Sequence, residues 1–492
     1  MVIRESVVTS FAKKNIVVGM TEIIGRLPLL LTVGLLARSV GPEVYGSWAV
    51  ILVYQALVAA ITCLGLDSSL SRLATVADPA FARAYLALAI RTCAVALLPA
   101  AVFTVVLGSF LIPLLGVPEA MRHLLSASIL LAALTTAEGL LSAYFKARED
   151  ARRYAAFVFV RSSVDIIAVL IVFVLAPPTE AVSQLWHYIF LVFGLKAVGY
   201  AVLGLVGAPP SAHVPAKQQH EFLRYGLPMI PAVLLSWFAL QGDRLLLAHL
   251  TDAAALGVYA FGASLASYLV YVGYAVYPLM LTRSCQLYDA GNLVALKQLF
   301  SSYQIVMLAA YVAALGLIVP FARDGVVWLA GHEFESAAPM VVVLGVAVCV
   351  DRVFGVYQYI FYLVRRPSWI LWLSLLNATL MALAIVAAVE LSGIKAVPLA
   401  MLNTTVLYNG IRLAVTRWYL ALPFPTGSVL GLAATIGVSW SATLGVWEWS
   451  LVARATVSCA AFVTSLALLN GAFHGQLMEA IQSIKRRAGF AS

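Results

Sequence analysis

The sequence predicts an all-α polytopic membrane protein of about fourteen transmembrane helices, set out as two six-helix lobes followed by two C-terminal helices. Three observations predict it. Fourteen apolar stretches of about twenty residues run from Asn15 to Phe473, the length a helix needs to cross a hydrocarbon core about 30 Å thick. The 492 residues are 63% hydrophobic and 11% charged, with mean hydropathy +0.97, whereas soluble domains carry roughly 25% charged residues. A short segment also recurs at an offset of 211 residues, in corresponding places along the chain.

The predicted spans fall at about 15–37, 46–66, 86–112, 124–145, 155–176, 185–206, 225–248, 255–281, 299–320, 338–363, 369–389, 396–414, 427–446 and 452–473. The longest connections, 208–223, 283–297 and 320–337, are too short for a separate catalytic domain. Arg4, Lys13 and Lys14 precede the first apolar run as they would in a signal peptide, but the run contains Glu22 and Arg26 and has no small-residue cleavage site, so it reads as a retained span. The five cysteines form no CxxC pair and indicate neither a disulfide framework nor a zinc site. The seven histidines lack metal-ligand spacing.

The net charge of +9 does not point to nucleic acid, because the basic residues are dispersed through short loops. They report topology instead. With the N-terminus in the cytoplasm, 20 basic residues fall on inside loops and adjoining span ends, Lys146 and Arg412 among them, and five fall outside. The positive-inside rule therefore places both termini in the cytoplasm. The remaining basic residues, Arg26, Arg91, Arg161, Lys196, Arg244 and Arg352, lie deeper within spans with Glu22, Glu138, Asp165, Asp243 and Asp351. A charge at the centre of a span costs roughly 2.5 to 3.5 kcal/mol on insertion scales. Eleven such groups imply a polar, water-filled interior between helices, and hence a transport pathway.

The repeat consists of residues 37–50, ARSVGPEVYGSWAV, and 248–261, AHLTDAAALGVYAF, which pair Ala37 with Ala248, Gly46 with Gly257, Trp48 with Tyr259 and Ala49 with Ala260. Each copy forms the outer turn after the lead span of its half. The unit is thus six spans; six is even, so both copies enter the membrane in the same direction, related by an axis along its normal. The implied division is 1–207, 208–417 and 418–492, the last holding the two extra spans and a cytoplasmic tail. Both lead helices carry breakers, Gly19, Gly25, Pro28 and Gly34 in the first and Gly226, Pro228 and Pro231 in the seventh, and interrupted lead helices point to a binding site.

A basic start, a first span ending LLARSVGPEVYG, a second ending GLDSSLSR, and a seventh carrying Asp243 and Arg244 before LGVYAF together resemble the polysaccharide transporter branch of the multidrug/oligosaccharidyl-lipid/polysaccharide exporter superfamily. The resemblance implies two lobes around a cationic cavity that alternate between inward and outward openings in the bacterial inner membrane. The expected cargo is a polyprenyl-diphosphate-linked oligosaccharide for O-antigen, capsule or exopolysaccharide. Membrane lipids, a polysaccharide polymerase and chain-length proteins are the expected partners, with no cofactor and no catalytic residue.

Diphosphate is multiply anionic, so Arg and Lys are the side chains suited to replace water around it. Arg26, Lys196 and Arg352 are central enough to do so. Arg91, Arg161 and Arg244 are further candidates, each close enough to a span end to snorkel to the interface instead. Glu22 with Arg26, and Arg161 with Asp165, are spaced i,i+4 and share a helix face. The carboxylates Glu22, Asp165, Asp243 and Asp351 either neutralise these cations or take up H+ or Na+ to couple transport to a gradient. Tyr45, Trp48, Tyr259, Tyr268 and Tyr271 suit either sugar contact or packing. No GxxxxGK[ST] motif is present, which argues against direct ATP coupling. Two other readings stay open: an ion-coupled exporter of small cationic drugs, which would want a mainly acidic interior, and a membrane glycan polymerase, ligase or glycosyltransferase, which would want a large external loop.

Overall fold

The computed structural model describes residues 2–176, 180–205, 214–226, 230–275, 277–366 and 368–420, together with Arg454. The two extra spans and the tail expected at 418–492 thus lie outside the described residues, apart from 418–420 and Arg454, as does Pro228 of the seventh span. The described residues are helical and connecting segments, and nine helices among them are long and apolar enough to cross a membrane.

The helices are, in order, α1 (Val2–Thr62), α2 (Leu66–Val76), α3 (Pro79–Val106), α4 (Gly108–Leu115), α5 (Arg122–Ala147), α6 (Ala151–Val169), α7 (Ala181–Leu205), α8 (Ala216–Gly226), α9 (Ile230–Leu250), α10 (Ala253–Ser267), α11 (Tyr277–Asp289), α12 (Leu293–Ala330), α13 (Ala337–Gly355), α14 (Tyr359–Leu363), α15 (Ser368–Ser392) and α16 (Val397–Tyr419).

Several predicted boundaries move. The first two spans form one helical run, α1, broken at Gly41, whose φ of 75° and ψ of 167° are open to glycine and strained for other residues. The end of the second span is a separate helix, α2, set off by Leu64 and Gly65 at positive φ. Its polar residues, Asp67, Ser68, Ser71 and Arg72, give it an amphipathic character that the preceding span lacks. The expected outer loop at 320–337 is largely helix, because α12 continues through Pro320 to Ala330. Arg323 and Asp324 read as loop residues, but Gly325 to Ala330 is apolar, and Arg323 is accommodated by Glu335 at 2.5 Å. The eighth span also changes character: α10 gives way to a tighter 3₁₀ stretch, Tyr268–Ala275.

The chain divides into two compact units. One comprises residues 1–261, 328–334 and 374–397, and the other 262–327, 335–373 and 398–492. In the first, α1 packs against α5, α6 and α9, and α5 packs against α2, α3 and α7. Its core includes the fully buried Trp48, Phe145, Tyr154, Phe157, Tyr259 and Phe261. Tyr45, Phe261 and Phe334 form a ring cluster with centroids 5.0 to 6.1 Å apart. In the second unit α11 packs against α14 and α13 against the 3₁₀ stretch 268–275, around buried Phe300, Tyr311, Tyr357 and Phe361.

The two copies of the repeated segment meet in the first unit. A Cβ at Gly46 would collide with the Ala253 carbonyl and lie 2.8 Å from the Gly257 amide nitrogen; a Cβ at Gly257 would collide with the Pro42 carbonyl and lie 3.0 Å from the Gly46 amide nitrogen. Only residues without a side chain allow this approach.

Candidate anion-binding site

The first unit collects charged side chains from four helices. On α6, Tyr154, Arg161, Ser162 and Asp165 recur at helical spacing and form one stripe. Glu22 and Arg26 face that stripe from α1, Glu138 and Lys146 from α5, and Lys196 and Tyr200 from α7. The approach of α1 depends on Gly25. A Cβ there would collide with Val158, and Ser162 donates its hydroxyl hydrogen to the Gly25 carbonyl at 2.5 Å. That close approach puts Glu22 within reach of α6.

Two sets result. Around Glu22, Arg161 Nη2 lies 3.1 Å and Arg26 Nη2 3.5 Å from Oε2, while Lys146 Nζ lies 3.8 Å from Oε1 and Tyr154 donates its phenolic hydrogen to the same oxygen. The Arg161 guanidinium also sits 5.6 Å over the Phe157 ring, and the Lys146 ammonium 4.9 Å over the Tyr154 ring. Around Lys196 the ratio inverts. Its Nζ donates to Asp165 Oδ2 at 2.9 Å and to Glu138 Oε1 at 3.0 Å, and Tyr200 donates to Glu138 at 2.7 Å. The Lys196 side chain is 8% exposed, so a ligand reaches its ammonium only by displacing a carboxylate.

The second unit holds a smaller set. Asp351 on α13 lies 3.7 Å from Arg352 Nε and 3.7 Å from Nη2 of Arg412 on α16. Arg412 is buried, donates to the Asn409 side-chain carbonyl and sits 5.0 Å over the Tyr408 ring. Arg352 and Asp351 are 29% and 38% exposed, so they are the accessible members.

The structure therefore gathers Glu22, Arg26, Arg161, Asp165 and Lys196 in the first unit, and Asp351 with Arg352 in the second. It separates the others. Arg91 is exposed on α3; Asp243 on α9 accepts a hydrogen bond from Tyr259 at 2.7 Å, and Arg244 donates to Gln241 at 2.5 Å. The i,i+4 pairing foreseen for Arg161 and Asp165 gives way to cross-helix pairs, Arg161 with Glu22 and Asp165 with Lys196. Sequence reasoning assigned no site role to Glu138, Lys146, Tyr154, Tyr200, Asn409 or Arg412. Lys146 and Arg412 lie near span ends, where their charge marks topology. The helical spacing of Tyr154, Arg161 and Asp165 was the available signal for the first of the sets.

A family model described as "Polysaccharide biosynthesis protein" matches residues 11–283, more than half of the chain and all of the charged residues of the first unit just described. The chain belongs to this family. Its fold is that of known transporters. It is similar to a structure of the lipid II flippase MurJ in an inward closed conformation, with TM-score 0.65 and 10% identity over 92% of this chain and 98% of that one. It is also similar to an inward-facing multidrug resistance MATE family transporter of the MOP superfamily, with TM-score 0.61 and 12% identity over 86% and 99% of the two chains. The Vibrio cholerae MATE transporter VcmN in its bent form gives 0.57 and 14% over 87% and 99%. At such identities the likeness is one of fold. No curated protein sequence matches this chain.

Proposed function

We propose that the protein is a flippase that carries a polyprenyl-diphosphate-linked oligosaccharide across the bacterial inner membrane by alternating access, for assembly of O-antigen, capsule or exopolysaccharide. The observation that supports this is a surplus of cations among the membrane-span side chains. In the first unit Arg26, Lys146, Arg161 and Lys196 face Glu22, Glu138 and Asp165; in the second Arg352 and Arg412 face Asp351. Summed over each unit, the group is formally one positive charge in excess, the sign that an anionic headgroup requires where water is scarce.

In this reading the lipid tail stays in the bilayer while the diphosphate meets Arg26 and Lys146, the part-exposed cations of the first unit. Lys196 organises the helices that present them. If an H+ or Na+ gradient drives the cycle, Asp351 is the accessible carboxylate for it, since Asp165 is already held by Lys196. The two six-helix lobes, both termini in the cytoplasm, and handover to a polymerase and chain-length proteins complete the proposal. The MATE-like fold favours a second reading, ion-coupled export of a small molecule; a cationic drug would meet the wrong sign of charge here.

Deletion of the encoding gene separates these readings. A flippase leaves completed lipid-linked repeat units on the cytoplasmic face. Altered drug tolerance with no such accumulation supports the exporter, and unpolymerised units on the outer face support a polymerase.

A further inference from the structure

Glu22 has more positive partners than one carboxylate can neutralise. Arg26, Lys146 and Arg161 all lie within 4 Å of it and Tyr154 donates to it as well, so three cations and a hydroxyl converge on a single negative charge. The Lys196 set is the reverse, two carboxylates on one ammonium, and needs no further anion.

Two of the four donors stand off from the carboxylate, while Arg161 and Tyr154 are in hydrogen-bond contact with it. Charge-assisted N–H···O bonds run about 2.7 to 2.9 Å, yet Arg26 stands 3.5 Å and Lys146 3.8 Å from the carboxylate oxygens. A phosphate presents more acceptor oxygens on a wider body, and an Arg fork with a Lys ammonium is the donor set that recognises it. The members of the cluster differ in exposure. Glu22 and Arg161 side chains are 9% and 11% exposed, whereas Arg26 and Lys146 are 24% and 47% exposed.

We propose that Glu22 is a resident stand-in for phosphate, and that Arg26, Lys146, Arg161 and Tyr154 form a subsite that takes a diphosphate group when Glu22 yields. The inference rests on the flippase reading above, which supplies a diphosphate on a lipid headgroup; free pyrophosphate carries the same chemistry. In the resting protein the carboxylate holds mutually repelling cations together. An arriving diphosphate competes with it for the same donors, so Glu22 sets how tightly the headgroup is held.

The test is calorimetric titration of the full chain in detergent with inorganic pyrophosphate and, separately, with a short-chain polyprenyl diphosphate, using the polyprenol as blank. Glu22→Gln should bind pyrophosphate about tenfold more tightly than the parent, and Lys146→Gln added to it should remove the gain. Equal or weaker binding by a folded Glu22→Gln chain overturns the proposal. If that variant does not fold, Lys146→Gln alone decides, because its half-exposed side chain can be changed without opening the core; an unaltered pyrophosphate affinity overturns the proposal. Pyrophosphate bound at this cluster with no binding of the lipid keeps the subsite and sinks the flippase reading. Normal delivery of lipid-linked oligosaccharide with no effect of Glu22→Gln or Lys146→Gln on binding does the opposite.

Discussion

Gly46 and Gly257 lie backbone against backbone, and the contact is reciprocal. Gly46 faces the Ala253 carbonyl and Gly257 faces the Pro42 carbonyl, and both pairs are related by the same step of 211 residues. The segments that the sequence marks as copies thus cross each other at equivalent points. The helix breaks before them correspond too: Gly41 interrupts α1, and Asp252, 211 residues on, lies between α9 and α10.

This crossing predicts a sharp contrast among glycine substitutions. Gly46→Ala and Gly257→Ala each place a methyl group against backbone atoms that cannot rotate away, at a cost of roughly 1–3 kcal/mol from overpacking. Gly325→Ala, with no atom within 4 Å of the added methyl, should instead be neutral or gain up to about 1 kcal/mol of helix propensity. Thermal unfolding in detergent checks this, and equal shifts at positions 46 and 325 would contradict the crossing.

The crossing also shows what the sequence makes legible. Apolar length announces the nine membrane-length helices among the described residues, and the pairing of Gly46 with Gly257 announces a repeated turn, but not that the two copies touch. The two turns were harder to equate, because they use different chemistry for one shape. In the first copy Gly41 takes the left-handed conformation and Pro42 opens the next helical segment; in the second Asp252 caps the helix, accepting from the Ala255 amide at 2.8 Å. Charge pairing was legible only along a helix. Glu22 and Arg26 do pair at i,i+4, but Arg161 and Asp165 each prefer a partner on another helix, a choice set by packing angles that spacing does not encode. Lys146 and Arg412 carry the same limit, since nearness to a span end does not reveal whether a long side chain points back into the bundle.

Lys196→Ala should injure the fold as well as transport. It leaves Glu138 and Asp165 without their shared ammonium, and breaking a buried pair from one side costs about 3–5 kcal/mol. The double variant Lys196→Met/Asp165→Asn removes both the ammonium and one of its two carboxylates, and should recover part of that loss. Melting temperature and detergent-solubilised yield are the readouts; a melting temperature for Lys196→Ala equal to that of the parent would show that the ion pairs carry no stability.

Arg352 and Arg412 should separate by function and stability. Arg352 is part-exposed, so Arg352→Ala should lower delivery of lipid-linked oligosaccharide to the outer face while changing stability by less than about 1 kcal/mol. Arg412→Ala removes a buried donor from Asn409 and Asp351 and should cost about 1–3 kcal/mol. The comparison needs transport and melting measured on the same preparations. Matching profiles in the two variants would place both arginines in one role.

Gly25 supplies the most direct link between helix packing and the charged cluster. It is the point at which α1 comes close enough to α6 for Ser162 to reach its carbonyl and for Arg161 to reach Glu22 one turn away. In Gly25→Val the branched side chain meets Val158 and pushes the helices apart, at roughly 1–3 kcal/mol. The separation lengthens the Arg161–Glu22 contact without deleting either charge. Transport should fall as it does in a charge deletion although all the titratable groups remain. Restoring space with Val158→Ala in the same chain should bring back both melting temperature and transport; recovery of stability alone would mean that Arg161 and Glu22 act independently of their contact.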